Sequence, residues 1–272
     1  MKTNLRYREV IPESRRVVVK VGSRVLVQKG GLPDRRRMTR LCQDLAAIQK
    51  LGHEVVLVTS GAIGAGMKAL GMTERPRLLP DLQMAAAVGQ SRLMARYDEL
   101  FTAQSCRIGQ VLLTHADFNH KIRETNIRRT LENLLRNAVI PIINENDVVT
   151  DEEIKADLAF GDNDYLASLV AKLIRADLLI LLTTVDGVRE PATGNRTRRL
   201  RYVETVTRKT FALVNDSRSA LSKGGMATKL KAAQSVAKSG CAAVIANGLQ
   251  PTILRQIMRG EDVGTMVLAS SL

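Results

Sequence analysis

The sequence has 272 residues, 45% of them hydrophobic, enough to bury a substantial core as one large domain or as two joined halves. Its 41 Lys and Arg against 27 Asp and Glu give a formal charge of +14, yet aromatic residues are only 3% and Trp is absent, so the stacking platforms of a single-strand nucleic-acid binder are missing. No run reaches the ~20 apolar residues of a membrane-spanning helix; residues 1–16 lack the apolar centre of a secretory signal; and three scattered cysteines with three histidines argue against a disulfide framework or a zinc site and predict a reducing cytoplasm.

In chain order, 17–21 (VVVKV) predicts a buried strand, 35–51 a helix ended by Gly52, and 54–59 (EVVLVT) a second strand. Helices follow over about 63–70 and 79–104, then a strand over 108–113, a helix over 123–136 and a strand over 139–143. The last part reads as a helix over 164–175, a strand over 178–182, a helix over 229–239 and a strand over 242–246. Short β-branched runs separated by helices predict parallel strands joined by crossovers, and near-continuous apolar strands predict a sheet covered on both faces. The Arg-rich and Thr-rich stretch 189–208 reads as a loop or a hairpin. A soft boundary near Arg175 divides an acceptor-binding part, about 1–175, from a nucleotide-binding part, about 176–272, within one domain. The basic excess reads as a solvated surface that also suits anionic small molecules.

Five motifs lie at predicted strand ends, where open α/β sheets bind ligands. Lys20 in an apolar strand is costly to bury unless an anion meets it; Gly22 and Ser23 after it allow close approach of a phosphate. In the second motif, Ser60, Gly61 and Ala62 open a small-residue helix start that either caps itself or receives an anion. The segments 144–147 (NEND) and 161–164 (GDND) place Asp147, Asn163 and Asp164 within reach of an amino group and a carboxylate, although Asn and Asp at strand ends also make ordinary turns. Asp164 opens a helix, where capping competes with aligning two lysines. In the fourth motif, Gly224, Gly225 and Met226 lead to Lys229 in a first helical turn, an unfavourable place for a cation unless a phosphate is bound there. Thr183 and Thr184 follow a strand and read on their own as an ordinary turn, with a nucleotide-base contact as the lesser alternative.

Taken in order, KVGS, TSGAI, AAVGQSRL, QVLLT, INEND, FGDND, GGMATK and VGTM resemble the amino acid kinase family over essentially the whole chain, and within it the members that phosphorylate glutamate. The resemblance implies an α/β fold, an open αβα sandwich with a mainly parallel central sheet. It implies ATP and Mg²⁺, the metal being carried by the ATP phosphates with no ligand assigned directly, and γ-L-glutamyl phosphate as product. Proline as feedback inhibitor and a homo-oligomer, dimer or tetramer, also follow from it, with no nucleic-acid or membrane partner. By the same resemblance Lys20 and Lys229 contact the transferring phosphoryl group and Asp164 organises them. Ser60, Gly61, Ala62, Asp147 and Asn163 match glutamate positions. Lys20, Gly22, Ser23, Thr183, Thr184, Lys223, Gly224, Gly225, Met226 and Lys229 match ATP positions.

The sequence departs from the family pattern at Thr184, where an aspartate is usual, at Ser222-Lys223, where Gly-Thr is usual, and in a somewhat long segment over 148–160. The resemblance also implies a kinase domain without a C-terminal RNA-binding-like domain. Three competing readings are a relative with another acceptor, a regulatory nucleotide binder on the same fold, and an RNA binder suggested by the charge.

Overall fold

β-Branched and leucine-rich runs assemble into one eight-stranded sheet in the computed structural model, which describes residues 6–27, 34–149, 162–192, 196–215 and 225–270. The described strands are β1 (Arg16–Val21), β2 (Glu54–Val58), β3 (Arg107–Leu113), β4 (Val139–Glu145), β5 (Leu178–Thr183), β6 (Arg189–Pro191), β7 (Thr197–Arg199), β8 (Tyr202–Val203), β9 (Ala242–Asn247) and β10 (Thr265–Val267). The helices are α1 (Ser23–Leu26), α2 (Arg35–Lys50), α3 (Ala62–Ala69), α4 (Leu79–Thr102), α5 (His115–Phe118), α6 (Lys121–Arg136), α7 (Asp162–Leu173), α8 (Arg208–Asn215), α9 (Met226–Ala237) and α10 (Ile253–Met258).

The strand order is β3-β4-β2-β1-β5-β9-β10-β8. All pairs are parallel except β10 with β9, so the expected mainly parallel sandwich is what the chain forms. β6 and β7 make a separate antiparallel hairpin, the second of the two forms expected for that stretch. Arg198 pairs with Glu190 at 2.5 Å, and Arg199 and Arg201 both pair with Asp262, at 2.9 and 3.0 Å.

Successive strand residues point to opposite faces, and each face has its own core. Val17, Val19 and Val21 of β1 pack with Leu45 of α2, Phe101 of α4 and Ile257 of α10. Val18 packs on the other side with Leu166 and Val170 of α7 and Leu230 and Val236 of α9. Lys20 shares the parity of Val18, so strand geometry directs its side chain into the α7–α9 layer. Register then brings the carboxyl ends of the central strands level, Lys20 lying opposite Val58 of β2 and Leu181 of β5.

Helices α3 and α4 touch backbone to backbone. A Cβ on Gly66 would sit 1.7 Å from the Ala85 carbonyl oxygen, and one on Gly89 would sit 1.8 Å from that of Ala62. Gly66 therefore serves the packing of α3 on α4. Gly89→Ala is expected to cost about 2–3 kcal/mol or more, because one helix must move off the other and the gain in helix propensity is only ~1 kcal/mol. Chemical denaturation of the variant beside the unmodified protein checks this; equal stability would contradict the packing described.

Candidate active site

Asp164 lies in the first turn of α7, directly beneath the carboxyl end of β1. Its Oδ1 meets Lys20 Nζ at 2.7 Å and its Oδ2 meets Lys229 Nζ at 2.9 Å. Thr228 Oγ1 donates to the same Oδ2 at 3.1 Å. The three charged side chains are 8%, 2% and 9% exposed for Lys20, Asp164 and Lys229. Burial pushes the Asp164 carboxyl up, but the charges of Lys20 and Lys229 and their hydrogen bonds outweigh it and hold the group below the ordinary carboxylate value. Among the described residues, two ammonium groups share one carboxylate, which leaves one net positive charge in a nearly dry pocket. Such a pocket attracts a further anion.

This geometry answers the two costs noted in the sequence. The anion that meets Lys20 in its apolar strand is Asp164, and the same carboxylate relieves Lys229 near the positive end of a helix. Helix α9 starts at Met226, three residues before the expected start at 229, with Gly225 as its cap. Capping does not explain Asp164 itself, since both of its oxygens are turned to the lysines and Thr228.

Helices α3 and α9 both start on a glycine that offers no side-chain cap, Gly61 and Gly225. Helix α2, which lies away from the site, has its first turn closed by Asp34, whose carboxylate accepts from Arg36 N and Arg37 N. Gly61 has φ +111°, a conformation that favours glycine. Ser60 does not cap α3; its hydroxyl donates to the Val21 carbonyl at 3.3 Å. Among the described residues, neither helix start has a side-chain cap hydrogen bond, and helix starts are where anions bind. Ala62 is the first residue of α3. Gly22 borders the lysine: a Cβ there would lie 3.7 Å from Lys20 Nζ, and the next residue, exposed Ser23, begins α1.

A second polar set adjoins the first. Asn163 Nδ2 donates to the Thr59 carbonyl at 2.8 Å and to Asn144 Oδ1 at 3.3 Å. Asn144 Nδ2 donates to Gln90 Oε1 at 3.0 Å. Thr59 is held from behind by Tyr97, hydroxyl to hydroxyl, at 2.6 Å. Asp147 is half-buried in the turn after β4, which the Val149 N–H closes on the Asn146 carbonyl at 3.2 Å.

The nucleotide positions are more dispersed. Thr183 ends β5, and its carbonyl accepts from Gly248 N–H at 2.8 Å. Thr184 is exposed beside it, Met226 is half-buried at the start of α9, and Lys223 and Gly224 lie outside the described residues. The structure therefore joins Lys20, Asp164 and Lys229 directly and sets Ser60, Gly61 and Asn163 beside them. Four residues of the cluster were absent from the predicted set: Thr228, Asn144, Gln90 and Tyr97. Asn144, Gln90 and Thr228 lie inside motifs read from the sequence, but nothing in the spacing said which amides would face one another.

The model of the amino acid kinase family matches residues 15–247, and the chain belongs to that family. It is 44% identical to the glutamate 5-kinase of Citrifermentans bemidjiense over 263 residues, 96% of this chain and 69% of that protein. With the glutamate 5-kinase of Lactiplantibacillus plantarum it shares 41% identity over 256 residues, 93% of this chain and 97% of that protein. Among solved structures, UMP kinase from Bacillus anthracis superposes with a TM-score of 0.62 at 17% identity, covering 95% of this chain and 97% of that one. Carbamate kinase from Giardia lamblia bound to AMP-PNP gives 0.65 at 18% identity, covering 94% and 99%. These two likenesses show the fold.

Proposed function

We infer that the chain carries out the reaction its 41–44% identical relatives are named for, ATP-dependent phosphorylation of the side-chain carboxylate of L-glutamate, the entry step of proline synthesis. The observation that carries the site assignment is one buried carboxylate holding two lysines from opposite ends of the chain.

Glutamate's side chain has a reference pKa of about 4.3, so it is already a nucleophile at neutral pH and needs no general base. The obstacle is bringing this anion to a triphosphate. A carboxylate oxygen attacks the γ-phosphorus in line. The bond from γ-phosphorus to the bridging oxygen breaks, and ADP leaves with that oxygen's electrons. Catalysis then consists of positioning and of charge placed where it develops. Lys20 and Lys229 supply that charge from two sides and Asp164 fixes their spacing. Ser60, Gly61, Ala62, Asp147 and Asn163 hold glutamate. Gly22, Ser23, Thr183, Thr184 and the stretch from Lys223 through Lys229 hold ATP. The glycine-started helix α9 supports the phosphate assignment.

Magnesium fits as an ion carried by the nucleotide. Both oxygens of Asp164 are taken by ammonium groups, and among the described residues no group of three or more His, Cys, Asp or Glu is placed to hold a metal. When bound, the ion neutralises part of the charge on the phosphate oxygens.

The acceptor part lies within about 1–175 and the nucleotide part within about 176–272, both on one continuous sheet. Proline acts as feedback inhibitor and the chain works as a homo-oligomer. A cytoplasmic location fits three buried, unbridged cysteines; burial pushes the Cys241 thiol up to about 12. No helix among the described residues is long and apolar enough to cross a membrane.

The test is glutamate-dependent ADP formation by the purified chain, with and without proline. Release that requires glutamate and falls with proline is expected. ADP release indifferent to glutamate but dependent on another carboxylate or on UMP would overturn the assignment.

A further inference from the structure

Three amides form a directed chain beside the lysine pair. Asn163 donates to the backbone carbonyl of Thr59, Asn144 accepts from Asn163, and Gln90 accepts from Asn144. A backbone carbonyl can only accept, so it fixes which way Asn163 points. Asn163 must turn Nδ2 toward Thr59, which leaves Asn144 to present Oδ1 and Gln90 to present Oε1. Asn144 is 2% exposed, so a wrongly turned amide there has no water to repair it.

The two ends of this chain are open. Asn163 Oδ1 and Gln90 Nε2 are buried, and among the described residues neither has a hydrogen-bond partner. Asn163 immediately precedes Asp164, and the carbonyl it anchors to immediately precedes Ser60. Gln90 follows Gly89, whose missing Cβ lets α4 sit on the first turn of α3. The helix contact therefore delivers Gln90 to Asn144.

We propose that Gln90 is a positioning residue for the acceptor. Through Asn144 it steadies the Asn163 carboxamide in the orientation that the Thr59 carbonyl sets, with the acceptor oxygen open, so that the site receives the ammonium of an α-amino acid in preference to a plain dicarboxylate. This rests on the reading of the site as a glutamate kinase. Neither the sequence motifs nor the named relatives assign a role to this glutamine.

The probes are L-glutamate and glutarate, which differ by the amino group, and the variants are Gln90→Met and Gln90→Glu. Methionine keeps the length but cannot accept from Asn144. Glutamate in place of glutamine keeps the acceptor oxygen. Gln90→Met is expected to raise KM for L-glutamate by ~10-fold, the scale of one lost buried hydrogen bond, and to lower the preference for L-glutamate over glutarate. KM for ATP is expected to stay within about twofold. Gln90→Glu is expected to stay closer to the unmodified protein on both counts. Gln90→Leu replaces the methionine variant if the latter shows no cooperative unfolding.

Unchanged KM and preference in the apolar variant would overturn the proposal. So would equal impairment in Gln90→Glu, or a loss of stability with no change in discrimination. Failure of the unmodified protein to phosphorylate glutamate at all would instead sink the functional reading, so the two failures are distinguishable.

Discussion

Lys229→Ala is expected to lower kcat by roughly 10²-fold or more while the protein remains folded, with Lys20→Ala behaving in the same way. Each lysine supplies a positive charge to a phosphoryl group whose charge is in transit, in a pocket where all three charged side chains are under a tenth exposed. Removing one leaves Asp164 paired with the other, an electrically neutral couple. Stability therefore changes modestly and the net positive charge of the pocket disappears. Steady-state kinetics with saturating ATP and glutamate, beside a thermal melt, separate the two effects. A variant with full turnover would remove that lysine from the mechanism.

The second large effect falls on stability. Asp164→Asn is expected to destabilise the protein by roughly 3–5 kcal/mol, since it leaves two buried ammonium groups without their counter-charge. For a chain of this size that is a fall in Tm of roughly 10 °C. The pH dependence follows from the direction of the Asp164 shift. Its carboxyl is held below the ordinary value in the folded state, so the folded protein binds that proton less readily than the unfolded chain. The stabilisation is fully present above the unfolded value, about pH 4, and is lost as pH falls through the lowered folded value. The stability gap between the unmodified protein and Asp164→Asn is therefore expected to be flat from about pH 5 to pH 8 and to narrow only in acid. Denaturant titrations at a series of pH values measure it. A gap that closed between pH 6 and pH 8 would mean that some other group titrates there.

The central strands were legible in the sequence because both faces of a covered parallel sheet are apolar. The VVVKV and EVVLV runs became β1 and β2, and LLILL became β5. The edge was not legible. β8 has two residues and β10 three, too few for a period to register, and β10 runs antiparallel to β9. The polar N-terminal stretch gave no sign that Arg8 is 1% exposed, donating to the carbonyls of Glu261, Arg201 and Gly264. That contact depends on residues about 250 positions apart, which no local pattern encodes.

At the site, the residue types were readable, and Asp164 aligning Lys20 and Lys229 was one of the two readings of that residue; the pairing of the amides Asn144, Gln90 and Asn163 was not readable. A lysine in an apolar strand and another near a helix start each called for an anion. That one carboxylate would meet both follows from the parity of β1 and from the placement of α7 and α9 over that face. The packing role of the glycines of α3 and α4 was hidden for a related reason. Gly66 meets a helix 19 residues later in the chain, at Ala85, which no local pattern shows. Gln90 lay inside a recognisable motif, but its importance depends on the helix contact that Gly89 permits.

The central claim is that this one pair of lysines carries the transferred group. Single-turnover ADP formation by Lys20→Ala/Lys229→Ala, with ATP binding measured on the same sample, tests it most directly. At ATP concentrations high enough to offset the weaker nucleotide binding that loss of these lysines brings, glutamate-dependent transfer falling to the uncatalysed background is the predicted result; transfer within tenfold of the unmodified rate would contradict it.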